Sequence, residues 1–82
     1  MIQLTLLGTE YCHLCDEAYS ELESYRLFSK VPYEVVLKDI IDDESLFDKY
    51  RKAIPVIINN ATGQEMGYPF VITELMSLLE SR

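Results

Sequence analysis

The chain concentrates its reactive side chains in one stretch, Tyr11-Cys12-His13-Leu14-Cys15-Asp16-Glu17, which holds both cysteines and the single histidine of its 82 residues. Two thiols separated by two residues can exchange with disulfides or supply half of a four-ligand metal site. Structural zinc wants four nitrogen or sulfur ligands. Cys12, Cys15 and His13 make three, and His13 points to a different part of the helix surface. A four-cysteine zinc or iron–sulfur site therefore needs two copies of the chain, and no metal site is expected within one. Covalent haem attachment is excluded, because Asp16 follows Cys15 where that motif requires His. A purely structural pair would stay mostly as thiols in a reducing cytosol, so redox catalysis is the leading reading.

Composition narrows the partners. Fourteen acidic residues against seven basic ones give a formal charge of −7, which repels phosphate backbones and excludes nucleic acid as a partner. The cations are unevenly placed, with Lys49, Arg51 and Lys52 just before Ile54-Pro55. A mean hydropathy of +0.03 with 49% hydrophobic residues is that of a globular protein. Apolar runs such as Ile54-Pro55-Val56-Ile57-Ile58 fall far short of the roughly 20 residues of a membrane span. Met1 to Leu7 lacks a basic leader and reads as a strand, not a signal peptide. A cytoplasmic, membrane-independent monomer is expected, with residues 1–82 forming one domain.

The elements that must position the cysteines follow from periodicity. Ile2, Leu4 and Leu6 alternate with Gln3 and Thr5, the period of a strand, until Gly8-Thr9 breaks it. From about His13, Leu14, Ala18, Leu22 and Tyr25 recur at helical spacing and end before Lys30-Val31-Pro32, so the cysteines fall in the first turn of a helix. Tyr33 to Lys38 is rich in β-branched and aromatic residues and reads as a second strand, parallel to the first because a helix connects them. Asp42 or Asp43 can cap a helix running to about Lys52, with Leu46, Phe47 and Tyr50 on its buried face. The acidic run Asp42-Asp43-Glu44 is read as that solvated cap, not as a metal site. Pro55 to Asn59 and Gln64 to Tyr68 flank a Gly-containing loop and form a hairpin. Thr73 to Glu80, with a start as early as Phe70, closes the chain as a helix. The order βαβαββα suits an α/β fold: a four-stranded mixed sheet with helices on both faces.

With Cys12-His13-Leu14-Cys15 after the first strand, Asp39-Ile40-Ile41-Asp42 after the second and Ile54-Pro55-Val56 opening the third, the chain resembles the glutaredoxin branch of the thioredoxin superfamily. The likeness is to the short bacterial glutaredoxin-like proteins and extends over nearly the whole length. It implies a thioredoxin-like fold and a thiol–disulfide oxidoreductase that reduces protein or glutathione mixed disulfides. No bound cofactor is implied; glutathione or a reductase would supply electrons. Cys12, at the positive end of the helix dipole, is expected to be the nucleophile, and Cys15, one turn deeper, the resolving thiol. The resemblance implies a cis Pro55 beside the cysteines, with Ile54 offering its backbone N–H and C=O to an extended substrate. Tyr11 is expected to present an aromatic surface to substrate, and His13 to add positive charge near Cys12. Arg51 ranks first among the three clustered cations as a partner for a glycyl carboxylate.

The chain departs from glutathione-using members at two places. They carry Gly-Gly and a polar residue after the fourth strand and a basic residue before the first cysteine; here stand Gly67-Tyr68-Pro69-Phe70 and Thr9-Glu10. Pro69 has no N–H to donate and Glu10 repels a carboxylate, so glutathione binding is expected to be weak. The first strand also lacks the buried Asp of thioredoxins. Two alternatives accompany the enzyme: a non-enzymatic binding module on the same fold, and dimeric metal or iron–sulfur binding through the two cysteines.

Overall fold

A computed structural model describes residues 1–10 and 12–80. Its elements are β1 (Ile2–Gly8), α1 (His13–Arg26), β2 (Tyr33–Asp39), a single 3-10 turn (Ile40–Asp42), α2 (Glu44–Tyr50), β3 (Val56–Asn59), β4 (Glu65–Gly67) and α3 (Ile72–Glu80). The strands lie in the order β2-β1-β3-β4. Crossing through α1 makes β1 and β2 parallel, with Ile2 opposite Tyr33 and Gly8 opposite Asp39. β3 runs antiparallel to β1, pairing Leu4 with Asn59 and Leu7 with Val56, and β4 returns antiparallel to β3.

Because strand side chains alternate between faces, β1 serves two cores. Leu4 and Leu6 pack with Ile57, with Ala18 and Leu22 of α1 and with Leu75, Leu78 and Leu79 of α3. Leu7 points the other way and packs with Val56, Ile40 and Tyr50, bringing α2 to the opposite face. The helices thus cover both faces of a four-stranded mixed sheet.

Three polar anchors fix these layers. The buried Tyr33 hydroxyl donates to the Leu22 carbonyl at 2.6 Å and ties β2 to α1. The fully buried Asn59 amide donates to the Leu78 carbonyl, and its oxygen accepts from the Ala61 N–H, both at 2.9 Å. At the start of α2, Asp43 accepts from the N–H groups of Ser45 and Leu46 at 3.0 and 3.2 Å. Its hydrogen bond from the Ser45 hydroxyl is the main reason the carboxyl lies below its ordinary range.

Two residues expected on buried faces are exposed. Leu14 sits in the first turn of α1, before the helix has returned over the sheet, and is 50% exposed. Phe47 is 39% exposed, since α2 is only seven residues long and meets the core through Leu46 and Tyr50. That helix ends at Tyr50, short of Lys52, because the N–H groups of Ala53 and Ile54 both turn back to the Tyr50 carbonyl. In the hairpin loop Gly63 adopts φ +80°, a conformation that only glycine takes without strain.

Candidate active site

Cys12 is the N-cap of α1. Its backbone is extended (φ −94°, ψ 103°), and its Sγ accepts the Cys15 N–H at 3.2 Å while its carbonyl accepts the Asp16 N–H at 3.2 Å. A sulfur so placed faces the unpaired N–H groups and the positive end of the helix, which favours a thiolate there. Cys15 lies one turn on, joined to Cys12 as a disulfide, with the two Cα atoms 5.2 Å apart. The two sulfurs differ in access: Cys12 is half-buried, whereas Cys15 is buried at 8% exposure.

What lies behind Cys15 is Gly8, the last residue of β1. A Cβ at Gly8 would stand 2.9 Å from Cys15 Sγ and 3.2 Å from its Cβ, so the close approach of strand and helix at this point depends on glycine. In the sequence Gly8 reads only as the end of a strand; its position before the cysteine motif is the available signal. Cys15 and Gly8 also border a cavity of about 360 Å³, shared with Thr9, Glu10, Asp16 and Asp39.

The remaining candidates are distributed as follows. Extending the β1–β3 register by one residue beyond Leu7 and Val56 brings Pro55 level with Gly8, at the cysteine end of the sheet. The Ile54–Pro55 peptide bond is cis, as is Tyr68–Pro69, and Pro55 is buried. Ile54 departs from expectation in one respect: its N–H donates to the Tyr50 carbonyl at 3.1 Å, closing the turn after α2, and is therefore not free for a substrate. His13 is highly exposed and its Nε2 lies 3.2 Å from Glu17 Oε1, one turn along the helix and away from Cys12. Arg51 is an exposed residue at the C-cap of α2 with no ion pair among the described residues. Lys49 is engaged elsewhere: its Nζ lies 4.0 Å from Glu65 Oε2 and 5.1 Å from the centre of the Tyr50 ring. The Tyr50 hydroxyl donates to Glu65 at 2.5 Å, and that bond pushes the phenol up from its ordinary value. Tyr11 lies outside the described residues.

The family model for the glutaredoxin-like domain (DUF836) matches residues 3–80. The chain belongs to this family. Among solved structures, the glutaredoxin-like domain is similar to the crystal structure of protein XcR50 from X. campestris. The two are 32% identical with a TM-score of 0.70, over 96% of this chain and 97% of that one. It is also similar to protein Ne2328 from Nitrosomonas europaea, at 26% identity and a TM-score of 0.74, over 93% of this chain and 87% of that one. Thioredoxin 1 from Thermosipho africanus is 17% identical with a TM-score of 0.59, covering 95% of this chain and 90% of that one, a likeness of fold alone. No curated protein matches at a significant level. The fold is thioredoxin-like, and a C-x-x-C pair at the start of its first helix is consistent with redox chemistry. Among the described residues no group of three or more His, Cys, Asp or Glu is placed to hold a metal ion, and no helix is long and apolar enough to cross a membrane.

Proposed function

We propose that this glutaredoxin-like domain is a cytoplasmic thiol–disulfide oxidoreductase with Cys12 as nucleophile and Cys15 as resolving thiol. The observation that carries the reading is the asymmetry of the pair. Cys12 Sγ caps the helix and is reachable, while Cys15 is buried behind it within disulfide reach. In the reduced protein the Cys12 thiolate attacks one sulfur of a substrate disulfide, forming a mixed disulfide and releasing the first substrate thiolate. The Cys15 thiolate then attacks Cys12 Sγ, releasing the second substrate thiolate and leaving the Cys12–Cys15 disulfide. Two electrons have passed to the substrate, and a reductase or two molecules of glutathione restore the dithiol. No bound cofactor takes part.

Substrate contact on this reading comes from the surface around Cys12: Tyr11 and His13 on the motif, and Ile54 and Pro55 at the adjoining strand end. Ile54 contributes its carbonyl, since its N–H is already used. Glutathione is a poor fit. Pro69 offers no N–H, the Tyr68 side chain is held by Glu21, Glu10 is exposed near Cys15, and Lys49 is turned toward Glu65. Arg51, with the neighbouring exposed Lys52, is left as a cation available to a glycyl carboxylate. Protein disulfides are the favoured substrates.

The test is trapping. Cys15→Ser should accumulate mixed disulfides at Cys12, seen by mass, while Cys12→Ser should lose exchange altogether. Equal residual turnover in the two variants would refute the division of roles.

A further inference from the structure

Between α1 and the start of α3 runs an open groove of about 650 Å³ whose walls include Glu17, Glu21, Tyr25, Phe28, Phe70 and Ile72. Leu22 and Leu75 line it as well, so its floor is continuous with the main core. Two wall residues are unusually uncovered: Phe28 is 80% exposed and Ile72 60%. The two sides are tied together by Tyr68, which donates a hydrogen bond to Glu21 of α1 and meets Phe70 edge-on with ring centres 5.2 Å apart. Among the described residues no Lys or Arg lines the groove, whereas Glu17 and Glu21 do. The acidic end lies toward the N-terminal turn of α1 that carries the cysteines, Glu17 being paired with His13, the residue after Cys12.

We propose that this groove binds the chain segment flanking the reactive cysteine of a protein disulfide substrate, a segment carrying a Lys or Arg beside a large apolar side chain. The inference rests on the redox reading above. The cation would meet Glu17 or Glu21, and the apolar group would cover Phe28, Phe70 and Ile72. Charge selects this occupant. A second copy of the chain carries a net charge of −7 and, docked groove to groove, would set its own Glu17 and Glu21 against these, and glutathione is itself anionic. Helix geometry sets a minimum spacing. Glu17 and Glu21 lie five and nine residues beyond Cys12, which is about 7.5 and 13.5 Å of rise along α1 and about 140° and 180° around its axis. An extended peptide advances about 3.3 Å per residue, so the cation must lie no fewer than about two to four residues from the substrate cysteine.

The experiment compares two synthetic peptides of equal length, one with Arg and Phe at those positions and one with Glu and Phe. In the first arm the peptide cysteine is replaced by Ser and binding to the labelled protein is followed by NMR. The Arg peptide should bind about threefold to tenfold more tightly, with shifts at Tyr25, Phe28 and Phe70, and the gap should shrink at high salt. Glu21→Lys should remove or invert the preference. In the second arm the same peptides, as disulfides, are reduced by the wild-type protein, and the rate should show the same preference. Equal affinities, or shifts confined to another face, would overturn the groove while leaving reduction of both peptides intact. Failure to reduce either disulfide would instead remove the redox reading, and the substrate role of the groove with it.

Discussion

Replacing Gly8 with Ala is the most direct perturbation of the resolving cysteine that leaves both thiols in place. The added methyl would stand 2.9 Å from Cys15 Sγ, about half an ångström inside the 3.4 Å where ordinary contact begins. In the reduced protein Cys15 Sγ is the free end of a side chain and can rotate away. In the disulfide it is tethered to Cys12 and anchored by α1, so strand or helix must shift instead. Overpacking of this kind costs about 1–3 kcal/mol. If most of it falls on the oxidised form, the reduction potential becomes more oxidising by about 20–60 mV, since 30 mV corresponds to about 1.4 kcal/mol for a two-electron couple. The assay is a redox titration of the pair in glutathione or dithiothreitol buffers, with the species quantified by mass. Gly67→Ala is the control, because a methyl there meets nothing within 4 Å. A potential for Gly8→Ala within about 10 mV of the control, a third of the 30 mV step, would refute the reasoning, as would stabilisation of the disulfide.

Three further outcomes are expected. Asn59→Ala should lower the urea-unfolding free energy by about 2–4 kcal/mol, because the Leu78 carbonyl and the Ala61 N–H lose their partner together. Tyr33→Phe should cost about 1–2 kcal/mol at neutral pH by removing the buried bond to Leu22. Burial, helped by Tyr25 and Glu23, pushes the Tyr33 phenol up to about 12 from 10.0. The folded state therefore holds this proton more tightly than the unfolded chain. The resulting stability is complete below about pH 10 and disappears as pH rises through about 12, and denaturation followed from about pH 9 to 12 should show that loss reduced in Tyr33→Phe. Glu10→Lys should raise turnover of a glutathione mixed disulfide about twofold to fivefold, more at low than at high ionic strength, because an exposed repulsive charge becomes attractive.

The architecture was legible because each element obeys a local rule strongly. The alternation of Leu4 and Leu6 with Gln3 and Thr5 has one solution, and the helical stripe of Ala18, Leu22 and Tyr25 another. A helix between two strands makes them parallel, and a Gly-containing loop between two more makes a hairpin. What periodicity could not supply was where each element stops meeting its neighbours. Leu14 lies at helical spacing from Ala18, yet burial there depends on whether the sheet reaches under the first turn. Phe47 belongs to a helix too short to bury more than one stripe. Asn59 reads in sequence only as the last residue of the third strand, and its full burial follows from its amide linking the end of β3 to a distant carbonyl of α3.

The candidate site divides along the same line. Both cysteines at the start of the first helix, with Cys15 one turn on, follow from sequence alone; that Cys12 is the N-cap itself and not a first-turn residue is set by its extended backbone in the fold. Gly8 was hidden because its importance lies in a side chain it does not have, opposite a residue in the next element. The use of the Ile54 N–H was hidden because it depends on α2 ending at Tyr50, a boundary set by two N–H groups converging on one carbonyl. Charge behaves similarly: the total of −7 was visible, but its effect depends on where the acids gather. Glu17 and Glu21 share one face of α1 at i and i+4, and the fold sets that face in one groove with the uncovered ring of Phe28 and the half-buried ring of Phe70. Acidity that the sequence shows only as a net charge thus becomes, at this one groove, a basis for selecting cationic partners.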